Sequence, residues 1–138
     1  MGKLHANAKL VGNFRIDVDD GRTHAVCLDL TPPDGTDMGP SALELALMSF
    51  AGCYTTIFML TAKKMRFSVK TLEVKMEAVK SEEVGTITEV NVDVFVEANV
   101  PMDRIQRAHD LTVEDCPVGK LFDRAGIKTR YTLKAEKS

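Results

Sequence analysis

Residues 41–65 read SALELALMSFAGCYTTIFMLTAKKM and predict one long helix. Pro40 and Ser41 suit its first turn, and the Lys63-Lys64 pair suits the negative carboxyl end of a helix dipole. The first half is apolar nearly all round, which predicts a helix buried on most sides. One small sheet would not cover such a helix, so we expect a homodimer that sandwiches two copies of it.

Alternating apolar residues on both sides of this helix predict strands. We expect a short strand over 4–10, a hairpin over 11–30 with its turn at Asp19-Asp20-Gly21, and a loop over 31–40. After the helix we expect strands over 66–80 and 86–98, a helix from Pro101, a short helix from Cys116-Pro117 to about Ala125, and a strand over 127–135. This β-β-β-α-β-β-α-α-β order predicts an α+β fold with antiparallel sheets in a single domain, residues 1–138.

Composition excludes several classes of protein. The chain has 138 residues, of which 44% are hydrophobic and 28% charged, so it is not intrinsically disordered. The formal net charge of -2 argues against a nucleic-acid partner. No signal peptide is visible, and Leu43–Leu60, which contains Glu44, two Thr, a Ser and a Gly, is more polar and shorter than a comfortable membrane span. We therefore expect a cytoplasmic protein without a membrane partner.

Three cysteines are the candidates for chemistry: Cys27, Cys53 and Cys116. Their odd number and spacing predict neither a disulfide framework nor a zinc site, so each is either a small buried residue or a reactive thiol. Nothing near Cys27 in its strand would activate it. Gly52 before Cys53 indicates either close helix packing or a loosened backbone at the thiol.

Cys116 precedes Pro117 and is expected to be the N-cap of the short helix. Unpaired N–H groups there favour a thiolate, whereas the carboxylates of Glu114 and Asp115 oppose it. The residues alone leave open whether Cys116 is a reactive thiol or only a cap.

Two motifs together carry a family resemblance. Gly39-Pro40-Ser41-Ala42-Leu43-Glu44-Leu45-Ala46-Leu47, running into Ala51-Gly52-Cys53, is followed about 60 residues later by Cys116-Pro117-Val118. This pattern resembles the OsmC/Ohr family of osmotically inducible protein C and organic hydroperoxide resistance proteins, over essentially the whole chain. The resemblance implies the OsmC-like fold, an intertwined homodimer with sheets around long buried central helices, and active sites at the subunit interface.

The resemblance also implies an enzyme of the oxidative stress response, a thiol peroxidase that reduces organic hydroperoxides and peroxide. Cys53 would be the peroxidatic thiol, oxidised to a sulfenic acid, and Cys116 the resolving thiol that closes a disulfide. An external dithiol would reduce that disulfide. No metal or organic cofactor is expected, because sulfur carries both electrons.

Two further residues are carried over from the family. Burial disfavours a thiolate, so a nearby cation is expected, and the family uses an arginine from the N-terminal strands. The family position falls near Val11-Gly12-Asn13, where no Arg stands, so Arg15 is the first candidate and Arg22 the second. Glu44 matches the family glutamate, but nine residues of helix separate it from Cys53 by about 13.5 Å, so it would reach only the thiol of a partner subunit or act after a kink. Otherwise Glu44 is an acid favourable to the helix dipole.

Two other functions fit the same sequence. One is a non-catalytic dimer that binds a small apolar ligand near Cys53, with Met48, Met59 and Met65 as an adaptable wall, although these methionines equally suit core packing. The other is a thiol redox sensor whose oxidation changes the geometry of the dimer.

Overall fold

The computed structural model describes residues 2–138, and its elements follow the predicted order. The strands are β1 (Asn7–Gly12), β2 (Arg15–Asp19), β3 (Ala25–Leu28), β4 (Val69–Ser81), β5 (Thr86–Ala98) and β6 (Lys128–Lys137). The helices are α1 (Ala42–Lys64), α2 (Met102–Asp115) and α3 (Pro117–Arg124). The predicted α+β class is confirmed.

The contacts of the chain divide it into two compact units, the described residues up to Ala46 and the segment Leu47–Ser138. The first unit contains the sheet β1-β2-β3 and the start of α1, and the second contains the rest of α1, the sheet β4-β5-β6, α2 and α3. That residues 1–138 act as a single domain stays a prediction.

The N-terminal sheet is antiparallel, with β2 between β1 and β3. The expected continuous strand from Val11 to Val18 is wrong, because the chain turns at Asn13, where φ is 52°. Asparagine tolerates this left-handed conformation better than most residues, so Val11 belongs to β1 and the second strand begins only at Arg15.

A buried carboxylate organises the loop that joins β3 to α1. Asp29 is only 3% exposed, and it accepts hydrogen bonds from the N–H of Met38 (3.1 Å), the N–H of Leu30 (2.8 Å) and the hydroxyl of Thr36 (2.9 Å). The Met38 N–H contributes most to lowering the pKa of this carboxyl to about 2, an effect that burial opposes. The predicted loop is thus held by hydrogen bonds that converge on Asp29.

Gly39 is required where this loop passes the end of β3. A Cβ on Gly39 would overlap the carbonyl oxygen of Cys27. Only glycine permits such a close approach of two backbones.

α1 begins with a capping box. The N–H of Glu44 donates to the hydroxyl of Ser41 (3.1 Å), and the N–H of Ser41 donates to the carboxylate of Glu44 (2.9 Å). One stripe of the helix is buried, formed by Phe50, Tyr54, Phe58, Thr61 and Ala62.

Within a single chain α1 is not covered on most sides, since Met48 is 53% and Leu60 51% exposed. That a second copy of the helix covers these faces stays a prediction. The expectation that α1 falls short of a membrane span needs correction. At 23 residues, with a mean hydropathy of 1.6 over 18 of them, α1 is long and apolar enough to cross a bilayer, as core helices of soluble proteins can also be.

The C-terminal sheet departs from the expected antiparallel pattern. β5 pairs with β4 in antiparallel fashion but with β6 in parallel. The physical reason is the connection: α2 and α3 together carry the chain back across the sheet, and such a crossover delivers a parallel strand. Alternate residues of β5 from Val90 to Ala98 are buried on one face, as their sequence pattern predicts.

The first prediction concerns Asp29. Its lowered pKa means that it stabilises the fold above its ordinary value of 3.8, and that this contribution is lost as the pH falls from 3.8 towards about 2. Asp29→Asn places an amide NH2 against backbone donors, so we expect a lower melting temperature at neutral pH and a weaker dependence of it on pH in the acid range. Asp34→Asn, an exposed position in the same loop, is the matched control and should behave as wild type. Equal melting curves for both variants would contradict the role of Asp29.

Candidate functional site

Cys53 lies in the middle of α1 and is half-buried. The hydroxyls of Thr55 and Thr56 donate to the carbonyls of Ala51 and Gly52, so the backbone beside the thiol is tied within its own helix. Apart from its chain neighbours and the backbone of its own helix turn, no heavy atom of residues 2–138 lies within 4 Å of where a Cβ on Gly52 would stand. Close packing of another element against Gly52 is therefore not observed among the described residues.

Cys116 is the N-cap of α3, as the sequence predicts, and its side chain is fully buried. Its sulfur accepts a hydrogen bond from the N–H of Gly119 at 3.4 Å. Burial nevertheless raises the pKa of the Cys116 thiol to about 11, against the opposing effect of the Gly119 N–H. The helix terminus thus does not make this thiol a thiolate at neutral pH, because desolvation outweighs the amide.

Cys53 and Cys116 lie close to each other. The Cys53 side chain is near enough to raise the pKa of the Cys116 thiol, although one residue lies mid-helix in α1 and the other caps α3. Both are free thiols. The fully buried Cys116 keeps its proton at neutral pH, so the pair places an S–H group beside a second sulfur.

A buried polar cluster lies next to this pair. The hydroxyl of Tyr54, which follows Cys53 on α1, shares a hydrogen bond of 2.5 Å with Nδ1 of His109 on α2. Burial lowers the pKa of His109 and raises that of Tyr54, so the imidazole is neutral and the phenol keeps its proton. The Tyr131 ring meets His109 edge-on with 5.5 Å between ring centroids.

Tyr131 lies near Cys116 as well. The pKa of Tyr131 is raised to about 12, mainly by burial and in smaller part by Cys116. Cys116 affects the pKa of Tyr54 in the same direction. Two phenols that stay protonated therefore lie near Cys116.

The other predicted site residues have partners in the N-terminal unit. Arg15 donates to the hydroxyl of Thr36 (3.3 Å) and lies 3.9 Å from Asp29. The carboxylate of Glu44 is held by Ser41, whose backbone N–H lowers the pKa of Glu44. That Arg15 and Glu44 act on Cys53 stays a prediction.

Arg22 pairs with Asp20 beside the turn, at 3.1 Å. The thiol of Cys27 faces the carbonyl of Leu28 at 3.7 Å, within the N-terminal unit. Neither residue has a contact that indicates a chemical role.

The apolar-ligand hypothesis relied on three methionines. Met48 and Met59 are 53% and 45% exposed, and Met65 is half-buried. Two of the three therefore lie on the surface of the chain.

Sequence reasoning missed Tyr54, His109 and Gly119 as parts of the site. The usable signal was the spacing of His109 on α2, where it shares the buried stripe with Ile105 and Ala108. A histidine on an apolar face needs a buried partner, but the sequence does not name that partner.

The family of OsmC-like proteins matches residues 35–132, well over half of the chain. The chain belongs to the OsmC-like protein family. The match includes both cysteines of the pair, and it confirms the family resemblance. No functionally curated protein sequence matches the chain.

Solved structures share this OsmC-like fold. An OsmC-like protein from Mycoplasma pneumoniae has a TM-score of 0.87 at 16% identity, with 98% of each chain covered. OhrB, the organic hydroperoxide resistance protein of Bacillus subtilis, has a TM-score of 0.64 at 19% identity and covers 96% of this chain and 98% of its own.

A third structure comes from Legionella pneumophila and is described as an organic hydroperoxide resistance protein OsmC, predicted redox protein and regulator of sulfide bond formation. It has a TM-score of 0.70 at 14% identity and covers 97% of this chain and 98% of its own. At such identities these structures establish the shared fold alone. The fold that the sequence predicts for this chain is thereby confirmed.

The second prediction tests the cluster behind the thiols. Tyr54→Phe removes the hydroxyl and leaves Nδ1 of buried His109 without its partner, so we expect a loss of about 1–3 kcal/mol in the free energy of unfolding. Urea denaturation measures it. Tyr131→Phe, which removes the hydroxyl of the neighbouring ring but not the hydrogen bond, is the control and should cost less. A larger loss in the control would mean that the Tyr54–His109 bond is not what stabilises the cluster.

Proposed function

We propose that this OsmC-like protein is a thiol-dependent peroxidase that reduces organic hydroperoxides and peroxide. The observation that carries the proposal is the pair of neighbouring free thiols, one half-buried and one fully buried. Membership of the family, and structural relatives described as organic hydroperoxide resistance proteins, support a redox role.

In the first step the sulfur of Cys53 attacks the distal oxygen of the hydroperoxide as a thiolate. The S–O bond forms as the O–O bond breaks, sulfur gives up two electrons, and the alcohol leaves after taking a proton. Cys53 is the better candidate for this step because it is the more exposed of the pair. Its product is a sulfenic acid.

In the second step Cys116 resolves the sulfenic acid. Its sulfur attacks that of Cys53, the S–S bond forms, and the hydroxyl leaves as water with the proton of the Cys116 thiol. Burial supports this assignment, because a pKa of about 11 keeps that proton on Cys116 until it is needed. No other acid is required to release water.

An external dithiol then reduces the disulfide and returns both cysteines to thiols. The net reaction converts one hydroperoxide and one dithiol into an alcohol, water and an oxidised dithiol. Because sulfur carries both electrons, the proposed cycle uses no metal or organic cofactor. A pair that must return to thiols fits a reducing compartment, so we propose a cytoplasmic location.

The third prediction distinguishes the roles proposed for the two thiols. Cys53→Ser should abolish the consumption of cumene hydroperoxide in the presence of dithiothreitol, because no sulfenic acid can form. Cys116→Ser should still react once and leave Cys53 as a sulfenic acid that a sulfenate-selective probe labels. Cys27→Ser is the matched control and should turn over as wild type. Undiminished turnover by Cys53→Ser would refute the proposal.

The same experiment distinguishes a redox sensor from an enzyme. Fast closure of the disulfide with slow turnover under excess dithiothreitol would identify a sensor. Sustained turnover would identify the peroxidase.

We also infer that the working form is a homodimer. Met59 and Leu60, 45% and 51% exposed, lie on α1 outside its buried stripe, and only 28% of the most apolar part of this helix is buried in the chain. An apolar helix face in water is unfavourable by roughly 25 cal/mol per Å². A second copy of α1 has the matching apolar chemistry, and in a two-fold dimer it would cover both helices at once.

The fourth prediction tests this surface. Met59→Glu would bury an unpaired carboxylate in the interface, so the dissociation constant of the dimer should rise at least about tenfold, a change of about 1.4 kcal/mol. Sedimentation velocity over a concentration series measures it. Met102→Glu is the matched control, a methionine of similar exposure on α2, and should leave the dimer intact. A wild-type protein that sediments as a monomer would contradict the inference.

A further inference from the structure

Little space surrounds Gly119 in the first turn of α3. A Cβ at this position would lie 3.3 Å from Cε1 of Phe50 and 3.5 Å from the sulfur of Cys116. The first distance is tighter than ordinary van der Waals contact, and the second is near the lower end of it, so a side chain here would crowd the Phe50 ring and leave little space beside the Cys116 sulfur.

The backbone conformation does not require glycine at this position. Gly119 lies inside a helix, where alanine is intrinsically more favourable. Its φ is not in the left-handed region, in contrast to Gly126 after the helix, where φ is 80°. The space around Gly119, not its backbone, is therefore what a substitution would disturb.

Phe50 cannot easily move away. It is 1% exposed, and its ring packs against that of Phe122 with 4.7 Å between centroids. In a close-packed core such a ring has no free volume to retreat into. The displacement caused by a methyl group at residue 119 would consequently fall on Cys116.

We propose that Gly119 is a positioning residue for disulfide closure. Its N–H holds the Cys116 sulfur at 3.4 Å, and its missing side chain lets Phe50 close the space behind that sulfur, so that Cys116 keeps one orientation towards Cys53. This inference rests on the proposed peroxidase function and deepens it, because it separates the geometry of the second step from the chemistry of the first.

The test follows each step separately in a single turnover. One equivalent of cumene hydroperoxide is added to the reduced protein, and quenched samples are analysed by mass spectrometry for Cys53 sulfenic acid, labelled by a selective probe, and for the Cys53–Cys116 disulfide. For Gly119→Ala we expect sulfenic acid to form at the wild-type rate, whereas closure slows by about tenfold, because small misplacements of reacting atoms have large effects on rate. The sulfenic acid should therefore accumulate.

Lys120→Ala is the matched control, since it adds no new contact at the next, exposed position of the same helix. It should close at the wild-type rate. The double variant Phe50→Leu/Gly119→Ala removes the aromatic carbon that the new methyl group meets. It should therefore close the disulfide nearly as fast as Phe50→Leu alone.

The outcomes are distinct. Wild-type closure in Gly119→Ala, or slow closure that Phe50→Leu does not relieve, would overturn the positioning role while leaving the peroxidase intact. Absence of both the Cys53 sulfenic acid and the Cys53–Cys116 disulfide in the wild-type protein would overturn the proposed function and this inference with it. If Gly119→Ala does not fold, a folded double variant that closes at the rate of Phe50→Leu supports the inference, and failure of both to fold overturns it.

Discussion

The close approach of Cys53 to Cys116 is the contact on which the proposed function of this protein depends. It requires α1 and α3 to approach each other, and Phe50 and Phe122 provide that approach through a direct ring contact between the two helices. Cys116 is fully buried there, and burial is the largest cause of its raised pKa. The apolar packing that stabilises the C-terminal unit therefore also sets the protonation state of Cys116.

The order of elements and the position of both cysteines follow from the sequence, because strong local signals mark them. Strand alternation, the capping box of Ser41 and Glu44, and Pro117 after an N-cap each act within a few residues. The parallel entry of β6 is not a local property, since it depends on how two helices return the chain across the sheet. The turn at Asn13 was missed because it interrupts a run of residues that otherwise alternates well.

The same contrast between local and non-local features holds for the candidate site. Its cysteines could be named from sequence, whereas the surroundings that set their chemistry could not. The helix terminus at Cys116 favours a thiolate, and only the extent of burial decides against it. The partnership of Tyr54 with His109 joins two helices, so no spacing within either of them predicts it.

Oxidation of Cys53 itself changes the environment of Cys116 in the proposed cycle. In the reduced pair, burial and the neighbouring Cys53 side chain raise the pKa of Cys116, whereas the N–H groups of Gly119 and Val118 lower it. Conversion of Cys53 to a sulfenic acid turns the neighbouring sulfur into an electrophile and leaves both amides in place. Before that conversion Cys116 has no electrophilic sulfur to attack, so the resting pair does not react with itself. The two thiols of the proposed cycle need no separate signal to act in order, because the first step creates the target of the second.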